Sequence, residues 1–320
     1  MERYRTYAAY LKERYGERVY KLPVNLPLTC PNRDGCLGYG GCAFCGARGA
    51  AYESLPDTLS VAEQLRQNRD YIGKKYKANR FIAYFQNFSN TYLPPTDFAR
   101  LIEEAAKQPD IVEIAVSTRP DCVNDTYLSI LRGICGQYGV LCSLELGLQT
   151  VNYRTLQAIN RGHTLAEFID AVLAAHRFAI PVCAHVILNL PGDTDIDVAE
   201  TAKVLSSLRV EQAKLHSLYL VKGTPLAAAY EDGKFSMGQW QDYMRKVILF
   251  LETVCPDMVI QRIIGRAKEN DVVFANYGTS WWKIKDAIDA EMEKADTWQG
   301  KKCNYLGGKA VQKFTNCKNN

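Results

Sequence analysis

Four cysteines lie close together near the start of the sequence, in the segment CPNRDGCLGYGGCAFC at residues 30–45. Thiols at such spacing can form a disulfide, bind zinc, act as a CxxC redox pair or hold an iron–sulfur cluster. A zinc ribbon normally has two CxxC pairs, and only Cys42 and Cys45 form one. A redox pair should open a helix in a small thioredoxin-like unit. Alternatively, Cys30, Cys42 and Cys45 could give three thiolates to a [4Fe–4S] cluster, which would leave one iron free for a small molecule.

The composition indicates an ordinary globular protein of 320 residues, of which 47% are hydrophobic and 23% charged. No run of about 18 apolar residues occurs, so we expect no membrane-spanning helix. The first residues, MERYRTYAAYLKERYGERVY, are charged and have helical periodicity, and they lack the apolar core of a signal peptide. These features predict a cytoplasmic protein, and a reducing cytoplasm disfavours structural disulfides.

Most of the eleven cysteines lie outside the segment 30–45. Five of these are in apolar segments and are interpreted as small buried residues, namely Cys122, Cys135, Cys142, Cys183 and Cys255. Cys303 and Cys317 lie in a polar C-terminal segment without a partner at ligand spacing. Only the first cluster therefore indicates chemistry.

Basic residues are concentrated in two segments, although the net charge is only +4. Residues 297–320 contain five lysines and no acid, and residues 63–80 contain six basic residues against Glu63 and Asp70. Such segments are often ordinary solvated faces, but together they favour a polyanionic partner such as RNA.

Strand-like and helix-like segments alternate along most of the chain. Strands are predicted at 19–28, 81–88, 111–118, 140–149, 180–190 and 212–221, and helices at 59–78, 95–108, 123–138, 152–160, 165–179 and 195–208. Such alternation predicts an α/β fold with a parallel sheet, a partial (β/α)6 TIM-like barrel. The cysteine segment follows the first strand, at the end of the barrel that carries active sites.

The alternation stops near residue 229. A helix at 236–255, a strand at 258–265 and a helix at 281–295 are predicted beyond this point. We therefore expect a core barrel at 1–228, including the basic helix, and a small α+β C-terminal extension with the basic tail at 229–320.

The pattern Cys30-x11-Cys42-Ala43-Phe44-Cys45 resembles the cysteine motif of the radical S-adenosylmethionine (SAM) superfamily, in which an aromatic residue precedes the last cysteine. Its first gap is longer than usual there. The resemblance implies that Cys30, Cys42 and Cys45 hold a catalytic [4Fe–4S] cluster, which leaves Cys36 as a loop thiol. It further implies that the free iron chelates SAM, and that one electron cleaves SAM to methionine and a 5′-deoxyadenosyl radical. A donor such as flavodoxin or ferredoxin would supply that electron.

Further motifs extend the resemblance over essentially the whole chain. STRPDC (117–122), LELGLQT (144–150), NRGHT (160–164) and LPGDT (190–194) resemble the branch that contains the Elongator catalytic subunit and coproporphyrinogen oxidase. LTCPNRDG, YFQNFSNTY, KLHSLYLVKGTPLA and TWQGKK resemble the narrower YhcC/YtqA-type proteins. An Elongator-like acetyltransferase domain has no room in this sequence, so acetyl transfer is not expected.

Polar residues recur on one face of five predicted strands, because residues two apart share a face. The pairs are Tyr84 with Gln86, Ser117 with Arg119, Glu145 with Gln149, His185 with Asn189, and Lys214 with His216. Each residue alone could be a satisfied core hydrogen bond. Five such faces together predict a polar cavity inside the barrel.

By resemblance, the ends of strands two to five bind SAM. QNFSN (86–90), with Gln86 and Asn87, takes the place of the motif that grips the SAM amino group, and it departs from the Gly-Gly-Glu form of that motif. The other expected SAM contacts are Ser117, Thr118, Arg119, Glu145, Gln149 and Arg161, with Phe44 and Pro191 on either side of the adenine. Lys214, His216 and Lys222 are expected to face the substrate.

The substrate hypothesis depends on the basic segments and on the resemblance. The YhcC/YtqA-like group is similar to tRNA wobble-uridine enzymes that convert 5-carboxymethylaminomethyl-(2-thio)uridine to the 5-aminomethyl form, which implies tRNA as the partner. Lys214 or Arg119 could then hold the substrate carboxylate. One alternative is a radical SAM enzyme acting on a small molecule, such as a porphyrin or a cofactor precursor. The other is a non-catalytic zinc-binding RNA module.

Overall fold

A sheet of seven parallel strands forms the centre of the protein. The structure, a computed structural model, describes residues 2–47, 49, 54–265, 269–311 and 314. The strands of this sheet are β1 (Val19–Val24), β2 (Arg80–Phe85), β3 (Ile111–Thr118), β4 (Leu141–Gln149), β5 (Val182–Ile187), β6 (Gln212–His216) and β8 (Val259–Arg262). They lie side by side in that order, so that β1 and β8 are the edges. The short strands β7 (Leu220–Val221) and β9 (Val272–Phe274) form a separate antiparallel pair.

Helices follow the strands and enclose the main core against one face of the sheet. They are α1 (Tyr7–Tyr15), α2 (Val61–Tyr76), α3 (Pro95–Ala106), α4 (Asp125–Gln137), α5 (Tyr153–Ala158), α6 (Leu165–Arg177), α7 (Asp195–Ser207), α8 (Pro225–Glu231), α9 (Trp240–Thr253) and α10 (Trp281–Lys294). Phe98, Phe168 and Phe250 of these helices are completely buried, and they belong to one cluster with Ile114 and Val116 of β3. Because successive strand residues point to opposite faces of the sheet, the residues that alternate with Ile114 and Val116 along β3 face the inside of the barrel.

The first turn of α6 shows how a loop motif is fixed locally. Thr164 is the N-cap of this helix and forms a capping box with Glu167, whose carboxylate accepts a hydrogen bond of 2.9 Å from the Thr164 backbone N–H. Such a box satisfies backbone donors that a helix end leaves free. The cap fixes where the helix begins, and hence where the preceding loop at 160–163 must turn.

The two edge strands are joined through the N-terminal segment. Thr6 pairs with Ile260 in a parallel bridge, and the Ile260 N–H donates a hydrogen bond of 2.9 Å to the Arg5 carbonyl. Leu11 of α1 packs with Tyr84 and other interior residues of the barrel. Helix α1 therefore lies across the opening between β1 and β8.

The predicted α/β fold with a partial barrel is confirmed. Several strands are shorter than predicted, such as β1, which ends at Val24 rather than at residue 28, and two further differences change the strand pairing. The predicted strand 212–221 is divided, because only Gln212–His216 pairs with β5 while Leu220–Val221 pairs with β9. The strand predicted at 258–265 is shorter and joins the barrel sheet, where it pairs with β6 as a seventh strand. A segment assigned to the extension thus contributes to the barrel, and the division at residue 228 stays a prediction.

Candidate active site

The cysteine segment forms a loop after β1 that is clamped to the loop at 160–164. The Asn32 side-chain amide donates a hydrogen bond of 2.6 Å to the Asn160 carbonyl, and the Asn160 amide donates one of 2.8 Å to the Gly41 carbonyl. The Ala43 N–H donates to the Ile159 carbonyl at 2.8 Å. The NRGHT motif therefore has a structural role, since its asparagine holds the cysteine loop in place.

Arginine side chains surround the three sulfur atoms that the sequence singled out. Arg161 Nη1 lies 3.3 Å from Cys42 Sγ, and Arg33 Nη2 lies 3.2 Å from Cys45 Sγ. Arg119 Nη1 lies 3.9 Å from the sulfur of Cys30, which is buried. Burial raises the pKa of the Cys45 thiol, and the Arg33 guanidinium opposes that rise.

Cys36 lies in a different environment from these three residues. It is exposed, and its backbone N–H donates a hydrogen bond of 3.1 Å to Asp34 in a narrow turn. Of the four cysteines only Cys30 lines the cavity described below, and Cys42 and Cys45 lie beside Arg161 and Arg33 instead. The donor set of Cys30, Cys42 and Cys45 therefore fits a cluster with three protein ligands, because iron–sulfur clusters bind thiolates and are stabilised by donors to sulfur.

A cavity of about 200 Å³ opens at the carboxyl ends of the strands, next to Cys30. Most of the predicted SAM and substrate residues line it, namely Gln86, Ser117, Thr118, Arg119, Gln149, Arg161, Lys214 and His216. Gly147 lies on its wall, and a Cβ atom there would stand 2.5 Å from Arg161 Nη2 and 2.8 Å from Gln149 Nε2. Gln149 itself has a φ of +72°, a left-handed conformation that non-glycine residues adopt at some cost.

Glu145 forms a buried ionic centre below this cavity. Its carboxylate is paired with Lys21 and, at 2.9 Å, with Lys214 Nζ, and it accepts hydrogen bonds of 2.7 Å from Tyr84 Oη and from His185 Nε2. Burial alone would raise the pKa of Glu145, but Lys21 and Lys214 outweigh it and hold this pKa well below its usual range. Protein groups thus already occupy this carboxylate, and the SAM contact expected of Glu145 stays a prediction.

The ionic centre at Glu145 also influences the protonation states of the residues around it. Burial, only partly opposed by Glu145, lowers the pKa of Lys214 to about 8. Burial and the nearby Lys214 lower the pKa of His185 to about 4, so this imidazole is neutral at pH 7 and donates its Nε2–H to Glu145. Glu145, Cys183 and His185 also bring three potential metal-ligand atoms within 4.8 Å of one another. Because Lys21 and Lys214 already balance the carboxylate, we interpret this group as an internal salt-bridge network.

Two sequence expectations about cations also change. Arg119 forms a two-pronged ion pair with Asp121 (Nη2 to Oδ2 is 2.5 Å), so its charge is already neutralised. Lys222 is exposed and donates to the Asn270 carbonyl at 3.0 Å, away from the cavity. Neither side chain is placed to hold a free carboxylate.

The remaining predicted residues lie around the cavity rather than in it. Asn87 is buried and donates a hydrogen bond of 3.0 Å to Asn25 Oδ1. Phe44 is half-buried and packs against a small apolar cluster that includes Leu190. Pro191 lines a neighbouring hollow of about 290 Å³. Phe44 and the LPG segment thus adjoin one cluster, as an adenine site between them requires. Of the C-terminal cysteines, Cys303 is half-buried, and Cys317 lies outside the described residues.

Sequence reasoning missed two arginines at this site. Arg33 holds Cys45 and its loop, with further hydrogen bonds to the carbonyls of Cys45 (2.8 Å) and Gly46 (2.6 Å). Its place within the cysteine segment was the available signal. Arg262 lines the cavity from β8. It lies in the segment assigned to the extension, so nothing in the sequence connected it with the barrel.

A larger groove, of about 660 Å³, lies at the opposite end of the barrel, where Gln212 and Val259 begin their strands. Its lining contains none of the cysteines 30, 42 and 45. We assign the chemistry to the smaller cavity, because Cys30 lines it together with Arg119 and Arg161 and because parallel barrels carry their active sites at the carboxyl ends of strands.

Comparison with known proteins identifies the superfamily of this chain. The model of the radical SAM superfamily matches residues 30–205, which include the cysteine loop and β2 to β5, and a radical SAM C-terminal domain matches residues 210–294. The chain belongs to the radical SAM superfamily. It is an enzyme of this class, and its cofactors are a [4Fe–4S] cluster and SAM, which together supply a 5′-deoxyadenosyl radical for hydrogen abstraction.

Individual relatives place this radical SAM protein more narrowly. It is 34% identical to YtqA of Bacillus subtilis over 300 residues, 94% of this chain and 92% of YtqA. It is 27% identical over 192 residues to the tRNA-2-methylthio-N(6)-dimethylallyladenosine synthase of Acidithiobacillus ferrooxidans, 57% of this chain and 40% of the synthase. The predicted resemblance to YhcC/YtqA-type proteins is confirmed.

A solved radical SAM structure has the same fold. The Elp3 protein of Methanocaldococcus infernus, with an N-terminal deletion, superposes with a TM-score of 0.68 at 14% identity, over 88% of this chain and 64% of that chain. At this identity the likeness concerns the fold. No helix among the described residues has the length and apolar character needed to cross a membrane.

Proposed function

We propose that this radical SAM enzyme modifies tRNA in the cytoplasm. Its substrate is the wobble nucleoside 5-carboxymethylaminomethyl-(2-thio)uridine and its product the 5-aminomethyl form. A small electron-transfer protein, flavodoxin or ferredoxin, exchanges single electrons with it. The observation that carries the proposal is the charge of the cavity, which suits an acidic substrate.

Cationic groups exceed anionic ones around the cavity. Arg119 is neutralised by Asp121, and Glu145 balances only one of the charges of Lys21 and Lys214. Arg161 and Arg262 have no carboxylate partner among the described ion pairs, and no Asp or Glu lines the cavity. Arg161 faces a cysteine sulfur, which leaves positive charge on the opposite wall for a second, anionic ligand.

In this proposal the residues divide into three groups. Cys30, Cys42 and Cys45 hold the cluster, with Arg33, Arg119 and Arg161 as donors to their sulfurs. SAM lies along Gln86, Ser117, Thr118, Gln149 and Arg161, with Phe44 and Pro191 beside its adenine and Asn87 supporting the β2 end. The inner wall at Lys214 and His216 faces the substrate.

The proposed reaction oxidises the carboxymethylamino group to an imine and then hydrolyses this imine. The 5′-deoxyadenosyl radical would take a hydrogen atom from the CH2 group between the amine and the carboxylate, which would give 5′-deoxyadenosine and a substrate radical that both neighbours stabilise. One electron then passes to an oxidised acceptor, for which the flavodoxin or ferredoxin serves, and the nitrogen loses its proton to form a C=N bond. Water adds to this imine and the C–N bond breaks, releasing glyoxylate and leaving the aminomethyl group on uridine.

Two further observations support tRNA as the partner. The similar synthase from Acidithiobacillus ferrooxidans acts on tRNA by its name. Exposed lysines offer phosphate-binding charge, namely Lys74 and Lys75 on α2 and Lys301 and Lys309 near the C-terminus. Lys313 and Lys318 of the basic tail lie outside the described residues.

The test compares tRNA nucleosides by mass spectrometry in a strain without the gene, complemented with the wild type, Cys42→Ala or Cys36→Ala. Wild type and Cys36→Ala should restore the 5-aminomethyl nucleoside, while Cys42→Ala should leave its carboxymethylaminomethyl precursor. An unchanged nucleoside profile in all four strains would contradict the proposal and favour a small-molecule substrate.

A further inference from the structure

Arg262 occupies a distinctive position on the inner wall of the cavity. It lies at the carboxyl end of β8, directly beside Lys214 of β6 in the sheet register. Its Nη2 lies 2.7 Å from Nδ1 of His216, which ends β6. Because a guanidinium can only donate, His216 Nδ1 must accept, and the ring then carries its proton on Nε2. Arg262 thus orients the His216 ring, whose Nε2–H is a second hydrogen-bond donor on this wall.

The Arg262 guanidinium is incompletely paired. Its Nε atom is buried and has no hydrogen-bond partner among the described residues. Arg161 Nε is likewise buried without a partner, but the Arg161 guanidinium faces the sulfur of Cys42. Arg119 pairs with Asp121 and Lys214 with Glu145, so Arg262 lacks the anionic or sulfur partner that the other cations have. A buried donor on a permanent cation is costly to leave unpaired, so it marks the place of a missing acceptor.

The position of Arg262 separates it from the cofactor side of the cavity. Arg119 and Arg161, which approach the cysteine sulfurs, follow β3 and β4 in the chain. Arg262 and His216 stand on the wall made by β6 and β8. An anion bound at Arg262 is therefore distinct from the carboxylate of SAM, which resemblance places at β2 to β5.

We propose that Arg262, with His216 beside it, binds a carboxylate group of the substrate. Identifying this group as the carboxymethylamino carboxylate rests on the proposed function. A guanidinium suits a planar carboxylate because it offers parallel N–H donors. The aminomethyl product lacks this carboxylate and carries a cation, which Arg262 and Lys214 repel, so the same contact favours release of the product.

The first experiment tests the anion site without assuming tRNA. Trifluoroacetate is the probe, titrated into the cluster-loaded enzyme with SAM and followed by its 19F linewidth. The wild type should show saturable broadening, and Arg262→Gln should bind about ten- to a hundredfold more weakly, the loss expected for one charged hydrogen-bond partner. Arg18→Gln, an exposed arginine before β1 at the other end of the barrel, should match the wild type. Equal binding by Arg262→Gln and the wild type, or no saturable binding at all, would overturn the proposal.

The second measurement separates substrate binding from folding. Arg262→Gln should keep its iron content and its slow substrate-free cleavage of SAM to 5′-deoxyadenosine. In the complemented strain it should accumulate the precursor nucleoside as Cys42→Ala does. If Arg262→Gln loses trifluoroacetate binding while the wild type alters no tRNA nucleoside, the anion site stands and the tRNA reaction fails. If Arg262→Gln loses its iron or its SAM cleavage, Arg262 has a structural role and the proposal is overturned.

Discussion

Lys21 of the first strand donates a hydrogen bond of 2.8 Å to the side-chain oxygen of Gln261, in the last strand of the sheet. The same ammonium pairs with Glu145 of the central strand β4. One lysine therefore connects both edges of the partial barrel with its middle. This polar network closes the barrel between the edge strands β1 and β8, which share no backbone hydrogen bonds in the sheet.

This network predicts a large effect for Glu145→Gln. The change leaves Lys21 and Lys214 buried without their counter-charge, and breaking a buried ion pair from one side costs about 3–5 kcal/mol. Urea unfolding of the apoprotein measures this loss. Glu13→Gln is the control, because it removes the surface ion pair between Glu13 and Arg5, in which the Glu13 side chain is 70% exposed. This variant should change the free energy of unfolding by less than about 1 kcal/mol. Equal stability of the two variants would contradict the assigned role of Glu145.

The neutral state of His185 predicts a loss of stability in mild acid. Its pKa is about 4 in the folded protein and about 6.5 when unfolded, so between these values the unfolded chain binds more protons. Stability from this residue is complete above pH 6.5 and falls by about 2–3 kcal/mol as the pH drops toward 4.5. The lowered pKa of Glu145 adds its own loss only below about 4.5.

Urea unfolding at several pH values tests this, with His185→Gln beside His176→Gln. His176 lies on the surface near Glu211. Since burial also lowers the pKa values of His163 and His216 in the folded protein, the His185 variant should lose about a third of the slope between pH 6.5 and 4.5, and the His176 variant should keep the full slope. The same slope in the His185 variant and the wild type would show that another group titrates.

The cysteine loop predicts unequal effects of four alanine substitutions. Cys30→Ala, Cys42→Ala and Cys45→Ala should each lose most of the bound iron, whereas Cys36→Ala should retain about four irons per chain. Iron and sulfide analysis after anaerobic purification measures this. Retention of iron by Cys30→Ala together with its loss from Cys36→Ala would reverse the assignment of the first ligand.

A side chain at position 147 is expected to lower activity by steric displacement of its neighbours rather than by a change in charge. An alanine Cβ there would displace Arg161 and Gln149, because it would stand under 3 Å from both side chains. Displacement on the scale of 1 Å can cost about a hundredfold in rate, so Gly147→Ala should slow SAM cleavage by that order. Gly133→Ala, on α4 with open space around its Cβ, should keep full activity and stabilise the helix by about 0.5–1 kcal/mol. Normal SAM cleavage by Gly147→Ala would show that the wall tolerates the methyl group.

Much of this site could be read from spacing alone. Period-two polar faces placed Tyr84, Glu145, His185 and Lys214 inside one barrel, and the structure brings these four together by hydrogen bonds and ion pairs. Spacing could not show which of these side chains already have hydrogen-bond or ion-pair partners within the protein. Glu145 and Arg119 looked like ligand-binding groups until the structure showed Lys21, Lys214 and Asp121 against them.

The sequence by itself determined the parallel α/β barrel, the cysteine loop after β1 and the chemistry of the superfamily, because these depend on local periodicity and on short-range spacing. Only the tertiary structure decided that β8 joins the sheet and carries Arg262 to the cavity, next to His216. Strand pairing between β6 and β8 is a long-range contact, set by how the core packs rather than by any pattern within either segment. The free charge of the cavity follows from that pairing, since it depends on which cations find a carboxylate and which do not.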